Sequence, residues 1–169
     1  MPDKIWLGAI YLKDEGVYEI VLKSLNHYKK RLKTIGNSPE LKNSSAMFAS
    51  ILQQEAMKTI PKIDETIKRI QEGLSDIKIL DSLRDDSPFL IKALLCYEAD
   101  IKKAQDTGHE YFLRLVGDLP LVKNDLEVIK NALNKIGQFS VQSCSLQIPI
   151  EIGFQIFTQF FLFSAIIYA

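Results

Sequence analysis

Cysteine is nearly missing from this chain: Cys96 and Cys144 are the two it has in 169 residues. Thiols so far apart make no Cys-x-x-Cys pair, which excludes zinc-ribbon and thioredoxin-like spacing. Histidine is as scarce, with His27 and His109 alone. There is no G-x-S-x-G elbow, no phosphate-binding glycine loop and no zinc spacing. An excess of charge of one sign is missing too: 21 basic residues face 21 acidic ones. A chain without a basic domain is not expected to bind nucleic acid. The N-terminus reads poorly as a signal peptide, because it has no clearly basic start and no small-x-small cleavage site. Asn43-Ser44-Ser45 has glycosylation spacing, but it means little without secretion. A reducing, cytoplasmic setting is the expectation.

What is present is helical periodicity. Val17, Val21, Leu25, Tyr28, Leu32 and Ile35 recur three or four apart, which draws one face of a helix. Gly36 supplies its stop. Ser38-Pro39 reads as the next start, with Phe48, Ile51, Leu52 and Ala56 as its buried stripe and Pro61 ending or kinking it. Beyond the proline, Ile63, Ile67, Ile70, Leu74 and Ile77 alternate four and three apart, a coiled-coil seam two heptads long. Ser87-Pro88 repeats the start signal. Leu90, Leu94, Tyr97, Ile101 and Ala104 follow at the same spacings, and Gly108 marks a stop or bend. A short helix is expected over HEYFLRLV. A final one has Val122, Leu126, Ile129, Leu133 and Ile136 on its stripe and Gly137 at its end. KIWLGAIYL near the N-terminus fits a strand, a first helical turn or an apolar arm. About five amphipathic helices on short connections must bury their stripes against one another. The expected fold is all-α, an up-and-down helical bundle over residues 1–140.

Residues 141–169 form an apolar C-terminal tail whose one charge is Glu151. Leu146 to Ile156 alternates like a strand, yet Gln147, Glu151, Gln155 and Gln159 stand four apart as on a helix. Pro149 and Gly153 disfavour a central strand. A helix over residues 150–169 would be roughly 30 Å long, enough for a bilayer core. Four fates fit the segment: a membrane helix with the bulk cytosolic, a piece buried in the bundle, an oligomer contact, or an atypical ending foreign to the bundle.

Candidate chemistry is thin. Asp106-x-x-His109 with Glu110 resembles half of a di-metal carboxylate–histidine set, but the chain has no second such pair and Gly108 interrupts the helix between the partners. His27 reads as a residue facing a helix C-terminus, and the HYKKRLK run it opens as a solvated helix face. Asp81, Asp85 and Asp86 around Arg84 read as capping and turn acids. Cys96 reads as a small buried hydrophobe. No catalytic, cofactor-binding or metal residue is therefore assigned. The expectation is a non-enzymatic interaction or adaptor protein, with a protein partner or self-association. The Ile63–Ile77 seam and the tail are its adhesive parts. The alternatives are a soluble assembly subunit with a buried tail, and a metal-dependent or hydrolytic bundle enzyme.

Overall fold

The computed structural model describes residues 6–7, 10–11, 17–72 and 86–142, with side chains from 17 to 137 within that range. The chain divides into two compact units, Met1–Phe139 and Ser140–Ala169, and the fold described is that of the first. It is all-α apart from one two-rung antiparallel pairing, Trp6 with Tyr11 and Leu7 with Ile10. Leu74, Ile77, Asp81, Arg84, Asp85, Cys144 and the tail lie outside the described residues.

Helix α1 spans Val17–Lys33, with Glu19 in its first turn and Lys30, Arg31 and Lys33 in its last, as the helix dipole favours. Two short 3-10 turns follow, Ile35–Asn37 and Pro39–Leu41. Helix α2 spans Ala46–Glu72, α3 Ser87–Thr107, α4 Glu110–Val116, α5 Leu119–Val122 and α6 Asp125–Gln142. Pairings place α2 antiparallel to α1: Lys29 meets Asp64, while Gly36 lies against Gln53 further back along α2. They place α3 antiparallel to α2 in turn, since Arg69 meets Asp86 and Lys62 lies over the Phe89 ring. The arrangement is up-down-up.

The core follows the stripes. Val17, Val21, Leu25 and Tyr28 of α1 are buried, as are Leu90, Leu94, Tyr97, Ile101 and Ala104 of α3. Val122 of α5 and Ile129, Ala132 and Ile136 of α6 close the same cluster. Burying side chains of this size contributes about 1.5–3 kcal/mol each, so the stripes define the fold. Ile63 and Ile70 belong to this core and Ile67 packs on it. The heptad spacing is therefore satisfied inside the bundle, and a coiled-coil seam for partners is not supported over these residues.

Three local expectations are corrected. Ser38-Pro39 opens only a 3-10 turn, and Ser38 makes no capping bond; its hydroxyl donates to Glu40 at 3.0 Å. The long helix starts later, where the Ser45 hydroxyl accepts from the Phe48 N–H at 3.3 Å. Pro61 neither ends nor interrupts α2, which continues through it. Ala56 on one side and Ile63 on the other are buried and hold the helix in register. Gly137 lies inside α6, which runs on to Gln142. Gly108 does stop α3: it adopts φ 61° and its N–H returns to the Ala104 carbonyl, a left-handed cap that glycine takes without strain. Among the described residues, no helix is long and apolar enough to cross a membrane.

Candidate functional site

The inner face of α1 is not purely apolar. Ser24, His27 and Arg31 sit on it at spacings of three and four, and all are buried. Facing them on α3 is Asp100, 2% exposed, one helical step beyond Tyr97 on the same stripe. His27 Nε2 lies 2.9 Å from Asp100 Oδ2. A carboxylate oxygen only accepts, so Nε2 carries the proton of this bond. Arg31 Nη1 stands 3.6 Å from Asp100 Oδ1, too far for a hydrogen bond, and has no hydrogen-bond partner.

The network continues outward. Arg31 Nη2 donates to Glu40 Oε2, and Lys103 Nζ donates to Glu40 Oε1. Burial alone would raise the Glu40 carboxyl, but the hydrogen bond from Lys103 and the charges of Arg31 and Lys103 hold it below the usual range. Burial disfavours the charged form of Arg31, and Asp100 and Glu40 more than restore it. The guanidinium also lies over the Tyr111 and Phe112 rings, at 5.2 and 5.3 Å from their centroids, a stacking that suits a planar cation. The 3-10 turn that carries Glu40 is thus fixed to both α1 and α3. On the other side, Tyr97 donates to Asp125 Oδ2 at 2.7 Å and Lys23 to the same oxygen at 2.5 Å. The His27 and Tyr97 rings stand 4.6 Å apart.

Cys96 adjoins this network and is half-buried. Burial, seconded by Asp100, pushes its thiol up to about 12, the opposite of what a nucleophile needs. Its sulfur, an Asp100 oxygen and a His27 nitrogen lie within 4.8 Å of one another. Among the described residues, this is the group that could hold a metal ion.

His27 is therefore misassigned by the helix-dipole reading: it is a buried partner of an acid 73 residues away. The basic run around it is not simply solvated, since Lys29 meets Asp64, Lys30 reaches the Arg114 carbonyl and Arg31 is buried. His109 is exposed at the start of α4, where its Nδ1 accepts from the Tyr111 N–H at 3.1 Å. Glu110 pairs with Arg114. Asp106, His109 and Glu110 are not brought together around a ligand position. Asp86 pairs with Arg69 and lies 3.7 Å from Lys62, tying the start of α3 to α2.

A second feature lies on α2. From Ala46 to Glu55 no side chain is fully buried. Met47 is 74% exposed, Ile51 47% and Met57 68%, while Phe48 and Leu52 are half covered. The stripe expected over these residues is buried only at Ala56. Residues 46–57 carry one charge, Glu55. No family model, no curated protein and no solved structure matches the chain.

Proposed function

We propose that this chain is a non-enzymatic interaction protein whose bundle receives an amphipathic helix of a protein partner along the first half of α2. The observation that carries this reading is the exposure of Met47, Ile51 and Met57 on a stretch with one charge. Exposed apolar residues that are scattered need no explanation, whereas several along one low-charge helix end mark a binding surface. Methionine is unbranched and polarizable, so it adapts to a partner's side chains. A stretch of twelve residues is roughly 18 Å long, which suits three or four anchor positions of a bound helix. The polar groups supply further support, because His27, Arg31, Glu40, Asp100 and Lys103 are engaged with one another. The reading uses the bundle alone, and holds equally for a cytosolic chain and for one anchored through residues 150–169.

A photo-crosslinking residue at position 51, and another at the exposed Glu127 of α6 as control, tests it in cells. The expected result is one protein, identified by mass spectrometry, joined from position 51 and not from 127. It binds the purified chain, and the Met47→Glu, Met57→Glu variant loses it while keeping its circular dichroism. No product from 51, equal yield from both positions, or a product that is only a second copy of this chain would overturn the partner reading. The last result would instead make the face a self-association surface.

A further inference from the structure

We infer that His27, Cys96 and Asp100 form a three-ligand site for a divalent transition-metal ion of borderline softness, zinc above all. The site is independent of the α2 surface. Cys96 and Asp100 are four residues apart on α3 and so share a face. His27 meets them from α1, and the three ligand atoms already lie within 4.8 Å of one another. One nitrogen, one sulfur and one oxygen ligand are a donor set that zinc accepts, with a fourth position open. Tetrahedral ligands stand roughly 3.3–3.8 Å apart at zinc bond lengths.

A second observation points to the same place. Asp100 is 2% exposed, and among the described residues the His27 ring hydrogen-bonds it at 2.9 Å. Arg31 Nη1 stands 3.6 Å from Asp100 Oδ1 and makes no hydrogen bond among the described residues. An ion placed among the three would be held by the Cys96 sulfur, the Asp100 carboxylate and a His27 nitrogen. Binding releases the thiol proton to solvent; where His27 ligates through Nε2, that nitrogen gives up its hydrogen bond to Asp100 and the ring carries its proton on Nδ1 instead. The thiolate and the carboxylate together balance the dication. The Arg31 charge nearby opposes the ion and is partly offset by Glu40.

The test is a cobalt titration of the full chain carrying Cys144→Ser, in which Cys96 is the one remaining thiol. The expected result is one equivalent bound with a sulfur-to-cobalt charge-transfer band, bleached by zinc and lost in denaturant. His27→Gln, checked for folding by circular dichroism, weakens the binding by about tenfold or more, and His109→Ala leaves it unchanged. Absence of the band at saturating cobalt overturns the site. So does a band that survives denaturation, or one that a folded His27→Gln variant binds equally well. If His27→Gln does not fold, the band and its loss in denaturant decide the matter by themselves.

Discussion

Asp100 is the residue on which the most depends. It lies buried between the His27 ring and the Arg31 guanidinium, and its removal would leave both without their common partner. Breaking a buried pair from one side costs about 3–5 kcal/mol, because the remaining charge is stranded. Asp100→Ala should therefore lower stability by that amount in urea unfolding. Glu110→Ala removes a pair whose side chains are both 75% exposed, and should stay within about 0.5 kcal/mol of the parent. Glu40 gives a pH signature. Its folded carboxyl titrates below the unfolded value of 4.5, so its stabilisation is fully present above that pH. It is lost as pH falls through the folded value. The stability difference between the parent and Glu40→Gln should be constant near neutrality and shrink in acid below about pH 4.5. A difference that grows in acid would refute the sign.

At the scale of elements, α2 shows how far local rules reach. A proline inside a helix removes one backbone N–H and crowds the preceding turn. Pro61 nevertheless sits within a 27-residue helix, so packing at Ala56, Ile63 and Ile70 outweighs the local penalty. Replacing the exposed Pro61 with alanine should raise stability by about 1–2 kcal/mol, once the stiffer unfolded chain of the proline form is set against the gain. Thermal unfolding reads this as a higher midpoint, and a lower one would contradict it. The same contrast explains what could be read in advance. The stripe of α3 was legible because its apolar residues repeat at helical spacing and every one is buried. The start of α2 was not, because Ser38-Pro39 is locally as good a start as Ser87-Pro88, and only the turn's ties through Glu40 to Arg31 and Lys103 separate them. The pairing of His27 with Asp100 was half legible. Both fall on the buried stripes when polar residues are kept in the count, but nothing local says that these two stripes face each other.

For the whole molecule, two properties stand side by side. The charge network fixes α1, α3 and the turn at Glu40 around one core, while the first turns of α2 extend beyond full cover. Local opening is cheap where buried apolar contacts are few, and costs the global free energy where they are dense. The interaction surface should thus be the part of the bundle that a partner can reshape without unfolding the rest. Hydrogen exchange on the full chain, read by mass spectrometry, measures this directly. Amides of 94–104 in α3 and 21–31 in α1 are predicted to exchange only with global unfolding, while those of 49–55 exchange orders of magnitude faster through local opening. Equal protection of 49–55 and 94–104 would contradict it, for the start of α2 would then be as firmly held as the core.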